Sequence, residues 1–481
     1  MPSVEQVDVS PPARDFRSAA AVHLRDEAVL RAVHLATLRK VDQRAAGLAQ
    51  LRDAEALRDL AARIKQHALE YLPRYLSRFA ENVERRGGFV HIAPDADAAC
   101  EIIRRIAMEN GLKLAVKAKS MTSEEVRLNA ALERAGVRTV ETDLGEFIVQ
   151  IDRDRPSHIV TPIIHKDRRQ IAVAMSRELG CAHTEDPAAL TAIARRHLRE
   201  IFRRCDLGIT GVNFGIAETG SLCICTNEGN GRMTLTRPRV HVALMGIEKL
   251  IPRMRDLPVF LKLLARSSTG QPLTVYTSIV SGPRRAADAD GPRQLHVVLL
   301  DAGRSEILCG DSPELLRCIR CGACLNACPV YRNVGGHAYG GVYPGPIGAA
   351  ITPLLDGAPR HAELPRASSL CGACQQSCPV KIDIPAALMR LRERARDAQP
   401  LKKRFGMRFF AWMMSSARRY RLAQAAILAR GRAGGGWIRG GWGTLAAWTE
   451  FRDLPVPRKT FRQLWDERLR DELEGDDAEH S

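Results

Sequence analysis

Long apolar runs and a secretory leader are both missing from this sequence of 481 residues. The apolar segment 409–414 is far shorter than the roughly 20 residues that a membrane-spanning helix requires. The N-terminus has neither the basic nor the apolar stretch of a signal peptide. We therefore expect a cytoplasmic protein, in which the 13 cysteines stay reduced instead of forming disulfides.

Signature motifs of several enzyme classes are absent as well. The sequence contains no G-x-S-x-G, no H-E-x-x-H, and no G-x-G-x-x-G between a strand and a helix. Hydrolase and Rossmann dinucleotide-binding functions therefore lack support.

Acidic residues are missing between Asp397 and Glu450, in a chain whose formal net charge is +17. Apolar and aromatic residues alternate with the cations there, at spacings compatible with a helix. Such a stretch suits a membrane surface, an acidic partner protein or nucleic acid, and it equally suits a solvated helix packed on its own domain. Because no recognition motif accompanies it, we expect no nucleic-acid partner. A peripheral position at the inner face of the membrane is a further expectation.

Two cysteine blocks are the most informative feature that is present. The first, residues 318–329, has the C-x2-C-x2-C-x3-C-P spacing of an iron–sulfur ligand run. When the second, residues 371–379, is aligned on its Cys-Pro pair, Cys374 and Cys371 match the third and second cysteines of that run. Ser368 then stands where the first cysteine would be. The blocks are a repeat with one ligand altered, and one-electron redox chemistry is the primary interpretation.

The spacing also predicts how the ligands are shared, because the fourth cysteine of each run binds the other cluster in two-cluster ferredoxins. The first cluster would take Cys318, Cys321, Cys324 and Cys378. The second would take Cys328, Cys371 and Cys374, which leaves it one thiolate short. Three possibilities stay open for this last ligand position, at one corner of the second cluster. It could have no protein thiolate at all, an alkoxide from Ser368, or the thiolate of Cys309, if that residue folds back from upstream.

Zinc is the main alternative, because paired C-x2-C units can form a tetrahedral zinc site. Seven cysteines in a block of four and a block of three, each closing in Cys-Pro, fit zinc poorly. We therefore predict two iron–sulfur clusters, one [4Fe–4S] with four cysteines and a second [4Fe–4S] or [3Fe–4S] with three.

Four regions are predicted along the chain. Residues 1–87 form a helical segment, and residues 88–303 an α/β domain around a largely parallel sheet, because strands and helices alternate there. Residues 304–400 hold the two clusters, and residues 401–481 form a basic helical region with an acidic tail. Within the α/β domain the strand-like segments include 137–151 and 158–164, and Ser123 is expected to cap a helix over 123–136.

Two glycine-bearing turns of the α/β domain could hold a small polar ligand. They span residues 210–221 and 226–232 and contain the carboxylates Glu218 and Glu228. A simple hairpin turn at 229–231 is an equally good interpretation of the second turn. The segment 117–121 lies between a strand and a helix, where an anion could bind.

Single residues carry weaker signals. His165 and Lys166 could bind a carboxylate substrate, although a loop histidine is more often structural. Cys223 and Cys225 alternate with apolar neighbours and are expected to be core residues. No metal-ligand spacing surrounds the remaining cysteines, which are Cys100, Cys181 and Cys205.

Short motifs spread along most of the chain together make a family resemblance specific. They lie at residues 119–121, 141–146, 156–159, 211–220, 227–230, 318–331, 335–337, 345–348 and 368–372. With these motifs the chain resembles the lactate utilization protein B family, iron–sulfur proteins that act in bacterial L-lactate oxidation to pyruvate. The resemblance implies an α/β lactate-utilization domain, similar to the CoA-transferase and ribose-phosphate-isomerase fold, with a small α-helical ferredoxin-like dicluster domain and a helical C-terminal tail.

The family pattern implies the same seven cysteine ligands in the same two sets. Ser368 is part of that pattern, whereas Cys309 departs from it. The resemblance further implies an electron-transfer subunit of an L-lactate-oxidising complex, with other lactate-utilization subunits as partners and a quinone-linked acceptor near the membrane as one candidate. The alternative, that the α/β domain itself binds and oxidises lactate with the clusters as internal relays, stays open.

Overall fold

The computed structural model describes residues 16–396, 401–440, 446, 449 and 452–469. The chain divides into two compact units, Met1–Ala395 and Arg396–Ser481. The first unit holds both the alternating strands and helices and the two cysteine blocks. The four-region division predicted from the sequence stays a prediction.

Helices α1–α4 open the first unit, as the sequence predicts. Further helices alternate with strands up to residue 300, and six short ones frame the cysteine blocks. The helices are α1 (Phe16–His23), α2 (Glu27–Ala49), α3 (Ala54–Glu70), α4 (Leu72–Arg85), α5 (Ala96–Glu109), α6 (Met121–Glu125), α7 (Leu128–Arg134), α8 (Leu144–Ile151), α9 (Arg168–Leu179), α10 (Pro187–Arg204), α11 (Asn230–Thr236), α12 (Leu257–Thr269), α13 (Arg304–Cys309), α14 (Ala323–Ala327), α15 (Pro329–Val334), α16 (Gly345–Leu355), α17 (Ala373–Ser377) and α18 (Ile384–Arg394).

Ten strands of this unit form two sheets. They are β1 (Phe89–Ala93), β2 (Leu114–Lys117), β3 (Arg138–Glu141), β4 (Leu207–Gly211), β5 (Phe214–Ile216), β6 (Ser221–Thr226), β7 (Val240–Gly246), β8 (Leu250–Ile251), β9 (Tyr276–Val280) and β10 (Gln294–Leu300).

The main sheet has six strands in the order β1-β10-β7-β4-β2-β3, and every neighbouring pair is parallel. Every residue of β7 is buried, because helices cover both faces of such a sheet. From β2 the chain moves to β3 on one side and then returns to β4 on the other. The gap between the carboxyl ends of β2 and β4 is therefore the topological switch point, where open α/β sheets bind ligands. The α/β prediction is confirmed.

A second sheet was not predicted. It has the order β8-β5-β6-β9, and its pairs β5–β6 and β6–β9 are antiparallel. Its β5 strand begins three residues after β4 ends, so the strand-like segment 207–226 supplies strands to both sheets. Sequence alternation alone does not show where a chain leaves one sheet for another.

Three local predictions are wrong. Only the first part of segment 137–151 is a strand, because Asp143 accepts hydrogen bonds from the backbone of Gly145 and Glu146 and starts α8. Segment 158–164 is a turn, not a strand, because His158 Nδ1 accepts hydrogen bonds from two backbone N–H groups within it. The helix cap is Ser120 instead of Ser123, and the helix it starts breaks into α6 and α7.

Helices α2 and α3 connect the two parts of the first unit. Helix α2 packs against α12 of the α/β part and against α14 and α15 of the cysteine-rich part. The crossing with α12 is close, since a Cβ atom on Gly47 would lie 2.6 Å from the carbonyl oxygen of Gly270. Glycine at position 47 permits this approach.

The second unit contains α19 (Leu401–Met414), α20 (Ala417–Ala433), α21 (Phe461–Leu464), and the antiparallel strands β11 (Trp437–Ile438) and β12 (Leu454–Pro455). The predicted glycine-rich flexible segment 431–443 begins inside α20 and continues into β11, and its last three residues lie outside the described part. The predicted helix over 462–474 begins at Phe461, and a π-helical turn, Trp465–Leu469, follows it. The acidic tail also lies outside the described residues. Among the described helices, none has the length and apolarity needed to cross a bilayer.

Candidate metal centre

The two cysteine blocks share one backbone conformation. In the first, Arg320 and Gly322 adopt left-handed φ angles of 58° and 78°, and helix α14 follows. In the second, Leu370 and Gly372 adopt 56° and 80°, and helix α17 follows. Left-handed residues bend the chain sharply, so each block forms a tight loop that presents several side chains inward. The two blocks therefore share a loop conformation as well as a cysteine spacing.

Ser368 takes the place of a cysteine in this repeat. The backbone N–H of Arg320 donates to Cys318 Sγ at 3.4 Å. At the equivalent position, the backbone N–H of Leu370 donates to Ser368 Oγ at 3.1 Å. The serine oxygen therefore occupies the position that the first thiol holds in the other block.

Four of the predicted ligands line one cavity. Cys318, Cys321 and Cys324 reach it from the first block and Cys378 from the second. The other lining residues are largely apolar; they include Ile159, Ile319, Ile347, Val380, Ile382 and Ile384. The backbone N–H of Ile382 donates to Cys378 Sγ at 3.4 Å. This arrangement supports the predicted crossing of Cys378 to the first cluster, although the ligand set stays a prediction.

The remaining three predicted ligands, Cys328, Cys371 and Cys374, influence one another. Burial, together with the nearby Cys328 thiol and, more weakly, Cys371, raises the pKa of Cys374 to about 12. The backbone N–H of Tyr331 donates to Cys328 Sγ at 3.5 Å. Cys328 and Cys374 are buried, whereas Cys371 is exposed. This second set therefore lies closer to solvent than the first.

Three arginines beside the four-cysteine cavity have buried N–H groups without acceptors. Within the part of the chain that the structure describes, Arg44 Nε, Arg317 Nε and Arg320 Nη1 have no hydrogen-bond partner. All three guanidinium groups interact electrostatically with cysteines of this set, Cys318, Cys321 or Cys378. A buried donor without an acceptor is costly. The anionic sulfurs of an iron–sulfur cluster would remove this cost, so the residues fit the group that the spacing predicts.

The N-terminal helices hold the second block in place. Arg58, from α3, donates to the carbonyl oxygen of Cys378 at 2.8 Å, and Arg44, from α2, donates to that of Ser377 at 3.1 Å. These contacts fix the segment in which Cys378 crosses to the first block.

A network of buried charges joins the first block to the α/β part. Arg304 forms a bidentate pair with Glu125 at 2.8 and 2.9 Å and contacts Glu248 at 2.6 Å. Arg320 lies 3.8 Å from Glu248, and its guanidinium group stacks 4.4 Å above the Tyr343 ring. Because four of these five side chains are charged and the network is buried, each depends on its partners to offset desolvation. The network therefore fixes Arg320 beside Cys318.

His158 provides a second connection between the two parts. Its Nδ1 atom accepts from the Val160 N–H at 3.0 Å, so the ring proton is on Nε2, which donates to Asn326 Oδ1 at 3.1 Å. Burial lowers the pKa of His158 to about 3, so the ring is neutral. A Cβ atom on Gly322 would lie only 3.4 Å from this ring. The loop at 157–162 therefore packs directly on the first cysteine block.

The cysteines outside the blocks occupy other surroundings. Cys223 and Cys225 lie in β6, where Cys223 is fully buried as a core residue. Cys100 donates to the carbonyl oxygen of Val126 at 3.0 Å, and Cys205 to that of Phe202 at 3.2 Å. Cys309 is exposed at the end of α13. The core prediction fits Cys223, whereas Cys225 is only partly buried and packs against that core.

Buried charge also collects at the carboxyl edge of the main sheet. Lys117, at the end of β2, contacts Glu124 at 2.5 Å and Glu141 at 2.7 Å. Burial alone would lower the pKa of Lys117, but the two carboxylates outweigh burial and raise it. Lys119 donates to the carbonyl oxygen of Val160 at 2.7 Å. The lysines of the predicted anion site are therefore engaged by groups of the protein itself.

The two predicted ligand turns face different segments. Glu218 accepts from the backbone N–H of Met254 at 2.9 Å, whereas Glu228 accepts from that of Leu144 at 3.1 Å. Burial and the nearby Asp143 raise the pKa of Glu228 to about 7. The second turn leads into α11 and does not form a hairpin. Of Glu218 and Glu228, only Glu228 therefore contacts the segment after β3, at the carboxyl edge of the main sheet that contains the switch point. We call this edge the switch-point edge.

His165 and Lys166 are engaged by aspartates. His165 lies 2.5 Å from Ser157 Oγ and 3.0 Å from Asp154 Oδ2. Lys166 contacts Asp152 and Asp154, each at 2.6 Å. Asp154, His165 and His337 bring three potential metal-ligand atoms within 4.8 Å of one another. Because both His165 nitrogens and Asp154 already have protein partners, we interpret this cluster as structural.

Two family models match the chain. The LUD domain matches residues 76–300, and the 4Fe-4S dicluster domain matches residues 314–382. Proteins named lactate utilization protein B from Bacillus cytotoxicus and Bacillus thuringiensis are 42% and 41% identical to it; each match covers 94% of this chain and 96% of the relative. The chain belongs to the lactate utilization protein B family. The predicted fold class, a LUD domain with a dicluster domain and a helical C-terminal region, is confirmed.

A solved structure also matches part of the chain. It is a DUF162 family protein from Deinococcus radiodurans, 14% identical, and the match covers 48% of this chain and 98% of that protein with a TM-score of 0.28. Similarity this low carries no information about function.

Sequence reasoning missed the groups that surround the cysteines. Arg317 immediately precedes Cys318 and Arg320 lies two residues after it, so their proximity to a cluster could have been inferred from the sequence. Arg44, Arg58 and Glu248 gave no such signal, because only folding brings them close to the cysteine blocks.

Proposed function

We propose that this protein is an electron-transfer iron–sulfur protein that takes part in L-lactate oxidation to pyruvate. Membership of the lactate utilization protein B family and the dicluster match support a role in lactate utilization with iron–sulfur chemistry. The observation that carries the electron-transfer function is the convergence of Cys318, Cys321, Cys324 and Cys378 on one cavity, beside the separate set of three.

The protein's own residues would hold the clusters and tune their reduction potentials. Bound iron–sulfur clusters would supply one-electron transfer. The first would be held by four thiolates and the second by three, and its fourth ligand position would have no protein thiolate, the Ser368 oxygen or Cys309. Backbone N–H groups of Arg320, Tyr331 and Ile382 donate to cysteine sulfurs. Such donors and nearby cations stabilise the more negative, reduced state, so they raise the reduction potential.

The proposal includes partners and location. The chain would work with other lactate-utilization subunits, pass electrons to an acceptor that is linked to quinone, and reside in the cytoplasm at the inner face of the membrane. It would not itself carry the catalytic site for lactate.

Reduction of the full-length protein, reconstituted anaerobically with iron and sulfide, tests the proposal. We expect iron–sulfur signals in low-temperature electron paramagnetic resonance (EPR) spectra that respond to dithionite, and that respond to L-lactate only when the partner subunits are present. A reconstituted protein without any redox-responsive iron–sulfur signal would contradict it.

A second candidate function is that the α/β domain binds lactate itself. The observation that favours it is Glu146, which is 3% exposed and whose two carboxylate oxygens have no hydrogen-bond partner among the described residues. Burial and the neighbouring Glu141 raise the pKa of Glu146 well above its ordinary value, so its protonated form could donate to a ligand. Glu146 and Glu228 both lie near the switch-point edge, and Lys119 joins this edge to the loop that packs on the first block.

Calorimetry with the full-length chain distinguishes the two functions. If the α/β domain is the lactate site, L-lactate or pyruvate binds the isolated chain, and Glu228→Gln weakens binding whereas Glu218→Gln does not. Absence of binding to the wild-type chain removes this second candidate and leaves the electron-transfer proposal intact.

A further inference from the structure

Helix α19 exposes an unusual amount of apolar surface. Seven of its 14 residues are large apolar side chains that are 46–78% exposed: Leu401, Phe405, Met407, Phe409, Phe410, Trp412 and Met414. In a soluble protein, single exposed apolar residues are ordinary, but a contiguous group of this kind marks an interaction surface.

Four of these residues form one face. Leu401, Phe405, Phe409 and Trp412 follow an i, i+4, i+8, i+11 spacing, which places them along one side of the helix. The Phe409 and Trp412 rings stack with centroids 5.7 Å apart. The guanidinium group of Arg419, in α20, lies 4.3 Å from the Trp412 ring centroid. We call these four residues the aromatic face.

The surrounding charge has a single sign. The sequence of α19 contains Lys402, Lys403, Arg404 and Arg408 and no acidic residue, and the acid-free stretch continues through α20 to residue 449. An apolar face within a cationic helix is complementary to a surface that is both apolar and anionic.

We propose that α19 is a membrane-binding helix that lies in the interface of an anionic phospholipid bilayer. With 14 residues it is too short to cross the hydrocarbon core, which needs about 20. Trp and Phe suit the boundary between headgroups and acyl chains, and Lys and Arg attract anionic headgroups. This inference rests on the exposure and charge of α19. It deepens the membrane location in the proposed function, whereas the electron-transfer part of that proposal does not depend on it.

A second copy of the helix and nucleic acid are less complementary to the surface of α19 than a bilayer is. A second copy of the helix would bring two cationic surfaces together, because both would lack acidic residues. Nucleic acid would satisfy the charge but would leave Leu401 and the other aliphatic side chains without a role. An anionic bilayer satisfies both features.

Vesicle co-sedimentation of the purified full-length protein tests the inference. We expect binding to vesicles of phosphatidylcholine and phosphatidylglycerol in equal parts, and little binding to phosphatidylcholine alone. The double variant Phe405→Gln/Trp412→Gln should lose binding by at least about tenfold, because it removes half of the aromatic face. Its circular dichroism and iron content should match those of the wild type, which shows that the chain still folds.

The matched control is Ile92→Gln, which changes another exposed apolar residue, 75% exposed, outside this helix. It should bind vesicles as the wild type does. Failure of the wild type to bind anionic vesicles, or equal binding by the double variant, would overturn the inference. So would salt-sensitive binding to duplex DNA without vesicle binding, which would assign the stretch to nucleic acid.

Discussion

The two cysteine blocks have the same loop geometry but different surroundings. The first has no exposed cysteine and is connected to the α/β part through His158 and the Arg304–Glu248 network. Arginines with unused N–H groups lie beside it. The second is closer to solvent, with Cys371 exposed, and has Ser368 in place of its first cysteine. The same loop geometry therefore stands in two different environments, and one predicted ligand position carries a different side chain.

Loss of a ligand should affect the two sites very differently. We expect Cys321→Ser to remove about half of the iron and to lower the free energy of unfolding by several kcal/mol, since bound metal can contribute on the order of 10 kcal/mol to folding. Cys371→Ser should lose iron only from the second site and should destabilise the protein less, because Cys371 is exposed. Iron analysis and thermal unfolding of both variants measure this. Equal losses of stability in the two variants would contradict the proposed difference between the two sites.

Metal removal should follow the same order. A chelator added to the reconstituted protein should extract iron from the second site before the first, because Cys371 is exposed whereas no cysteine of the first set is. EPR spectra recorded during the incubation distinguish the two sites. Simultaneous loss of both signals would contradict the difference in exposure.

Ser368→Cys should make the two sites more alike. The Ser368 oxygen lies where the repeat places a thiol, so a cysteine there could supply the missing thiolate. If the wild-type corner has no protein thiolate, the variant should retain more iron and lose any [3Fe–4S] signal in EPR spectra. Cys309→Ser is the control, and it should leave iron content unchanged. An unchanged Ser368→Cys spectrum together with iron loss in Cys309→Ser would assign the corner to Cys309.

The smallest expected effect concerns Arg320. Removing this buried cation with Arg320→Gln should lower the reduction potential of the first cluster only, because a positive charge favours the reduced state. One charge acting over roughly 8–16 Å in a medium of effective dielectric constant of about 20 contributes on the order of 1–2 kcal/mol, or roughly 40–90 mV for one electron. A redox titration followed by EPR measures the shift. Arg266→Gln, whose guanidinium donates to Gly47 instead, is the matched control; an equal shift in both variants would remove the role of Arg320.

The sequence predicts the structure best where the site residues lie close together along the chain. The positions of Cys318 to Cys328 are set by a short loop, so their spacing predicts their convergence, and alignment of the blocks predicts the role of Ser368. The contacts of Arg58 with Cys378 and of Arg304 with Glu125 join residues distant in sequence, and no local pattern encodes them. The turn at 158–164 was missed for a related reason, since the His158 side chain decides it and strand-like composition does not.

The central claim is that the blocks exchange ligands, and Mössbauer spectroscopy of Cys378→Ser protein enriched in iron-57 tests it most directly. Cys378 belongs to the second block in sequence but lines the cavity of the first. We expect Cys378→Ser to alter the same cluster component as Cys321→Ser and to leave the component that Cys371→Ser alters unchanged. If Cys378→Ser instead alters the Cys371 component, each block binds its own cluster and the account is wrong.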